Sequence, residues 1–334
     1  EKFAKQEENY REQAQLLKKI LGDKNIKLGW GTENLFSHPM YAQGSLNSPY
    51  PYVAARAAAE VRLMMEITHQ LGGENYVLWG GRVGYDSLLV TDMEKEMNNL
   101  GNIYRAIVNY QKRCFPEIQL LEEPKGKEPT TFQYARDAAT TLNFFRAIGV
   151  FDAFKLNLEG NHGDLAGVDL EHELTVARIN GNKIGGIDAN SGVPMVGWDV
   201  DRYQEIFKDA LLAWRQVDLQ GGMGTGVINH DAKPRRQSTS MREKAIGHIM
   251  AMDLWALALL TVEEMKADGS LDKLRNQIYK RYDETEIGGK ISTGDITLET
   301  LSDFARNDGI IGNIPSGRYQ EAMFHLQRFL LPKR

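Results

Sequence analysis

Cysteine is nearly absent from this chain: Cys114 is the only one among 334 residues. A lone thiol excludes an intramolecular disulfide and fits a reducing compartment, so a cytoplasmic location is expected. Cys114 lies just before Pro116, at a turn from helix to strand, and reads as inert packing. Uninterrupted apolar runs approaching the ~18 residues of a membrane span are also missing, so no transmembrane helix is expected. Residues 1–20 are charged and helix-like and lack the apolar stretch of a signal peptide. The chain opens on Glu1, so residue 1 need not be a natural start. Nor is there an excess of positive charge: 40 Lys and Arg against 45 Asp and Glu give a net charge of −5. That balance argues against sequence-independent nucleic-acid binding, which needs a basic surface. The short basic run Lys233-Pro-Arg-Arg reads as a loop that pairs with nearby acids. No GxGxxG follows a strand, and GGMGTG at 221–226 precedes one and lacks the Lys-Ser/Thr of a phosphate-binding loop.

What the chain does have is alternation. Segments 27–34, 75–81, 118–123, 154–159, 185–188 and 226–231 read as strands. Helical patterns separate them, over 52–71, after a capping box at Thr91 and Glu94, and near 133–147, 169–180 and 202–218. Six strands alternating with helices predict a parallel sheet in an α/β fold, as a barrel or a doubly wound sheet. After about residue 243 only helical segments remain. The expected organisation is a (β/α) barrel domain over 1–264 and a C-terminal helical arm over 265–334.

Four consecutive strands end in acids, at Glu123, Glu159, Asp188 and Asp231, and parallel strands bring such ends to one place. With His162, Asp199 and Asp201 they make seven candidate ligands. Buried carboxylates are costly unless cations neutralise them. Six oxygen donors suit hard cations (Mg²⁺, Mn²⁺ or Co²⁺), and seven ligands suit two ions, with Glu159 as a bridge. Taken singly, Asp199 or Asp201 would cap the helix expected to start near Arg202, and His162 would be an ordinary core histidine. Capping, however, does not explain acids at four strand ends. Lys125 lies two residues past Glu123 and is expected on the same side, where an ammonium steadies a developing oxyanion. Trp30, Phe36 and Trp79 are expected as apolar walls that exclude water.

The segments WGTENLFSHPMY, NYVLWGGRVGYDSLLVTDM, EPKGKEPTTFQY, KLNLEGNH, IDANSG, GWDVDR and HDAKPRRQS resemble xylose isomerase of the longer-chain type, from about Gly29 onward. The resemblance implies a TIM (β/α)8-type barrel with six of eight strands recognisable, a helical C-terminal arm, and usually a homotetramer. It implies interconversion of D-xylose and D-xylulose, and of D-glucose and D-fructose, with two divalent ions. One ion would be held by Glu123, Glu159, Asp188 and Asp231, the other by Glu159, His162, Asp199 and Asp201. The second would activate a water and promote a 1,2-hydride shift. Lys125 would bind the terminal carbonyl oxygen, with Lys125, Glu159 and Asp201 the catalytic set. Trp79 and Phe36 would wall the sugar, and Thr32 would lie near it.

The family's first barrel strands, with a His-Asp pair linked to ring opening, lie upstream of the matched region. An aromatic residue lent to the neighbouring subunit also lacks a counterpart. Val83, Gly126, Gly160, Gly163, Asp164, Glu122 and His230 depart from the family's usual residues. Gly160 and Gly163 are expected to loosen the loop carrying Glu159 and His162, and Asp164 to add charge near the metals. One alternative is a non-catalytic or partner-dependent sugar- or metal-binding remnant of that barrel. Another is a phosphoesterase resembling endonuclease IV, which requires a basic phosphate cleft.

Overall fold

The acid-ended apolar runs are strands, paired in the order in which they occur. The computed structural model describes residues 3–307, 314 and 316–331. It joins β1 (Trp30–Gly31), β2 (Asn75–Leu78), β3 (Gln119–Glu122), β4 (Phe154–Glu159), β5 (Ile184–Asp188) and β6 (Ile228–Asn229) in one parallel six-stranded sheet. These lie within or overlap the six segments read from sequence. The outer two are far shorter than 27–34 and 226–231, because each has one neighbour to pair with. The register aligns Glu159 with Asp188 and Asp188 with Asn229, so the acid-bearing ends form one row.

The sheet curls, and Asn75 holds the curl. Its side-chain amide donates to Gly29 O at 2.9 Å and Thr225 O at 2.8 Å, while its Oδ1 accepts from the Thr225 hydroxyl at 2.8 Å. A Cβ on Gly29 would lie 3.2 Å from Val227. The segments leading into the first and last strands are therefore in contact, although among the described residues no ladder pairs β1 with β6. The exposed strand edges expected of an incomplete barrel are drawn together at this end.

The chain divides into two compact units, Glu1–Trp255 and Ala256–Arg334. In the first, α1 (Phe3–Asp23) packs on α2 (Pro51–Gln70) through Ala14, Leu63 and Ile67. Next come α3 (Met93–Cys114), α4 (Ala138–Ala147), α5 (Gly160–Ala166), α6 (Leu170–Ile179) and α7 (Phe207–Gln220). Tyr104 of α3, Phe145 of α4 and Phe154 of β4 form an aromatic cluster under the sheet, with Phe145 and Phe154 stacked at 4.5 Å. Helix α3 is capped by Asp92, which accepts from Lys95 N at 3.0 Å, and not by a box from Thr91 to Glu94. A carboxylate is the stronger acceptor at a positive helix end. Cys114, expected to be packed, is exposed in the last turn of α3.

Helix α8 (Met241–Asp268) spans the division between the units. It corrects the expectation that no helix is long and apolar enough to cross a membrane, because its 18-residue window averages a hydropathy of 1.7. Asp253 interrupts the apolar run. Buried Ala251, Trp255, Ala258, Val262 and Met265 nevertheless recur every three or four residues, the packing stripe of a helix with one covered face. In the second unit α9 (Ser270–Glu284), α10 (Glu286–Thr293), α11 (Leu298–Asn307) and α12 (Tyr319–Leu330) follow. Leu274 and Leu326 are buried there, and Arg318 donates to Gln277 at 2.8 Å.

Asn75→Ala is expected to destabilise the chain by about 2–4 kcal/mol, since two carbonyls and a hydroxyl lose their fully buried partner together. Urea unfolding of the two proteins measures it; a change below about 0.5 kcal/mol would show that Asn75 does not hold the curl.

Candidate metal centre

Strand alternation sorts the two acids at the end of β3. Glu122 turns towards α3, where the Tyr104 hydroxyl lies 3.0 Å from both of its carboxylate oxygens. Glu123, one residue on, faces a cavity of about 720 Å³. Strand β4 ends in Glu159 and runs directly into α5, whose first turn carries His162 on the same side. Glu123, Glu159, His162, Asp199, Asp201 and Asp231 all line this cavity. So do Trp30, Thr32, Phe36, Trp79 and Lys125, with Phe36 edge-on to Trp79 at 4.6 Å.

Two groups in the cavity have donor atoms close enough to hold a metal ion: Glu123, Glu159 and His162, and Glu159, Asp199 and Asp201. Glu159 belongs to both. His162 Nε2 lies 3.3 Å from Glu159 and 3.7 Å from Asp199, and its Nδ1 lies 3.5 Å from Glu123. Histidine thus sits between the two groups, nearer Glu123 than a strict division into two four-ligand sites implies. Asp188 lies behind the cavity wall. Asn157 donates to it at 2.7 Å and to Glu123 at 3.1 Å, and Asn229 donates to it at 2.9 Å. Asp231 lines the wall, and its backbone carbonyl accepts from Asn190, which also donates to Glu159 at 2.8 Å.

Crowding of buried acids shapes the electrostatics. Burial, reinforced by the charge of Asp188, pushes Glu123 well above the usual carboxylate range. Burial beside Glu123, Asp188 and Asp199 does the same to Glu159. Burial raises Asp188 to about 6 despite hydrogen bonds from Asn229 and Asn157, and burial next to Asp199 raises Asp201 to about 6. Burial works upward on Asp199 too, but hydrogen bonds from His162 and Asp201 and the charge of Lys125 hold it well below its ordinary value. Burial keeps His162 below its usual value, hence neutral with a lone pair to offer. Its Nδ1 is buried and makes no hydrogen bond. Hard oxygen donors, one orphaned imidazole nitrogen and carboxylates held near protonation fit a divalent cation.

Several expectations around the site are corrected. Asp199 and Asp201 cap no helix: residues 202–203 form a short antiparallel ribbon with 190–191, and α7 starts only at Phe207. Gly160 does not loosen a loop, because it opens α5 and a Cβ there would lie 2.3 Å from Asn190 O. It is glycine because two backbones touch. Asp164 does not line this cavity, and it accepts from Gly192 N at 3.1 Å. The basic run does pair with an acid, since Lys233 bonds to Asp201. Lys125 donates to Asp199 at 2.5 Å. Sequence reasoning missed Asn157, Asn161 and Asn190, which hold the acids apart. Their signal was an Asn within two residues of Glu159, His162 and Asp188, in NLEGNH and DAN.

No protein-family model matches the chain. Curated relatives do: it is 43% identical over 322 residues to a barley (Hordeum vulgare) xylose isomerase, covering 96% of this chain and 67% of that one. It is also 43% identical over 303 residues to the xylose isomerase of Thermotoga neapolitana, covering 91% and 68%. Among solved structures, an L-ribulose 3-epimerase superposes with a TM-score of 0.60 at 16% identity, over 76% of this chain and 82% of that one. A likeness at that identity shows a shared α/β barrel fold. With relatives this similar over two thirds of their length, the chain belongs to the xylose isomerase family.

Proposed function

We propose that the chain is a two-metal aldose–ketose isomerase of the longer-chain type. It would interconvert D-xylose and D-xylulose, and D-glucose and D-fructose, by a 1,2-hydride shift. Glu159 carries the reading: one buried carboxylate shared by two ligand groups, in the cavity that also holds Lys125 and three aromatic walls. Two cations (Mg²⁺, Mn²⁺ or Co²⁺) are supported by charge. Six carboxylates, Glu123, Glu159, Asp188, Asp199, Asp201 and Asp231, face only Lys125 and Lys233. Fully ionised, they leave four negative charges, which two divalent ions match. Bound there, such ions supply Lewis-acid polarisation of neighbouring sugar oxygens.

The chain's own side chains supply the rest. The shift moves hydrogen with its electron pair from C2 to C1, and the proton of the C2 hydroxyl passes to the C1 oxygen. The Lys125 ammonium, 5.2 Å from the Trp79 ring, stabilises negative charge growing on the carbonyl oxygen. Trp30, Phe36 and Trp79 exclude water that would exchange protons with the reacting centre. Thr32 bonds a sugar hydroxyl. Asp201, paired with Lys233 at the cavity wall, is suited to relaying the proton between the C2 hydroxyl and the C1 oxygen. A phosphoesterase is poorly supported, since Lys125 and Lys233 are both engaged by acids. We extend the reading to a cytoplasmic homotetramer, in line with exposed Ile246, Ile249 and Met252 on α8.

Purified chain with Mn²⁺ or Mg²⁺ is expected to convert D-xylose to D-xylulose, and EDTA to stop it. Metal binding without conversion would instead favour a non-catalytic or partner-dependent binding protein.

Glu159→Gln should weaken both metals by more than the roughly 10–100-fold that loss of a supporting hydrogen bond costs. A two-site Mn²⁺ titration unchanged by the substitution would reject the bridge.

Lys125→Met should leave that titration intact and lower kcat by about 10²–10³. Retained turnover would remove the role given to the ammonium.

The raised acids also fix a pH dependence. Groups whose folded values lie above their unfolded ones stabilise most at low pH, and that contribution fades as pH rises. EDTA-treated chain should therefore lose stability from about pH 4 upward, through the value of about 6 for Asp188 and Asp201 and beyond it for Glu123 and Glu159. Added Mn²⁺ should raise Tm more at pH 8 than at pH 5. An equal rise at both would contradict the proposed coupling.

A further inference from the structure

One buried acid in the same cavity has no part in the metal cluster. Glu33 follows β1, is only 5% exposed, and lines the cavity together with Thr32, Glu60 and Tyr10. Its Oε2 accepts a hydrogen bond from the hydroxyl of fully buried Tyr76 on β2. Its Oε1 is buried and has no hydrogen-bond partner. An unpaired buried oxygen is costly, and native proteins rarely leave one without a use. Other groups near Glu33 do not meet the need. Glu60 on α2 is engaged by Arg56 at 2.9 Å, and Arg56 also donates to Gln6 of α1. Tyr10 of α1 is engaged by Gln6 at 3.2 Å.

We propose that Glu33 is a substrate-binding residue, whose Oε1 hydrogen-bonds an oxygen of the sugar away from the carbons held at the metal cluster. The inference rests on the isomerase reading of the same cavity. Its chemistry follows from proton placement. Burial pushes Glu33 up to about 8, against hydrogen bonds from Tyr76 and from its own backbone N–H and helped by the charge of Glu60, so the neutral form prevails at pH 7. Because Tyr76 donates to Oε2, the proton sits on Oε1. A neutral O–H there is a donor, and it selects an oxygen lone pair, as on a sugar hydroxyl or ring oxygen, over an ammonium group. Glu33 and Tyr76 thus form a hydrogen-bonded pair in the cavity wall, separate from the proposed metal ligands.

Three proteins test this with Mn²⁺ loaded: wild type, Glu33→Gln and Glu33→Leu. Dissociation constants for D-xylose are read by calorimetry, and KM and kcat by turnover, from pH 6 to 9. Glutamine keeps an acceptor for Tyr76 and a donor for the sugar, so it should bind within about twofold of wild type at pH 6. Leucine should bind about 3- to 10-fold more weakly, the loss of one neutral hydrogen bond. As pH rises through 8, the ratio of wild-type to Glu33→Gln affinity should shift, falling where the partner is a ring oxygen and rising where it is a hydroxyl that can donate to the carboxylate, because only wild type loses its proton. Equal affinity for wild type and leucine, or a ratio of wild type to glutamine that does not move with pH, would overturn the inference. Failure of the isomerase reading would look different: no turnover by wild type, with sugar binding still sensitive to Glu33.

Discussion

Negative charge packed into a low-dielectric pocket is the constraint on which the site's geometry depends. Six carboxylates meet at the C-terminal rim of the sheet, and four of them (Glu123, Glu159, Asp188 and Asp201) are held above their ordinary values by burial and by one another. Such an assembly persists only if every oxygen is answered. The answer comes in layers. Asn157, Asn161, Asn190 and Asn229 donate to the acids from behind, and Lys125 and Lys233 reach in from the rim. In the proposed reading, divalent cations would complete the balance. Neutral amides suit the inner layer, since they satisfy oxygens without cancelling the charge that attracts metal.

The same constraint explains features that look peripheral. Glu122 and Glu123 are adjacent, yet alternation sends one to Tyr104 and the other to the cavity, so β3 buries two acids without placing them side by side. Gly160 lets α5 start against the Asn190 backbone, which brings His162 back over Glu159 within one helical turn. Asn75 ties the entry to the first strand to the entry of the last, and so curves the sheet that carries the acids. A flatter sheet would spread the row of acids and dissolve both ligand groups.

Much of this was legible along the chain, because period and punctuation are local signals. Apolar runs closed by an acid marked the inner strands, and the stepping of Met93, Met97, Leu100 and Tyr104 marked α3. Misreadings arose where a local rule met a tertiary competitor. Asp92 displaced Thr91 as cap of α3. The run from Asp199 to Tyr203 became ribbon and loop where a helix start was expected, because Asn190 and Ser191 were available to pair with it. Gly160 read as slack when it is a point of contact, a distinction that depends on what lies opposite. Cys114 and Asp164 were each assigned the wrong surroundings for the same reason.

Glu33 marks where sequence reasoning stops. In the sequence it is one more acid in a polar loop, and only its placement in the cavity wall against Tyr76, with one buried oxygen unanswered, gives it a role. By itself the sequence determined which residues are acids and which strands carry them, since hydrophobic period is a property of neighbours, whereas the order in which the strands pair came from the structure. The tertiary structure alone decided which acids share a cavity, which are paired away from it, and how far each holds its proton. Those depend on distance and dielectric between residues far apart in the chain, and neither quantity is written in any local run of letters.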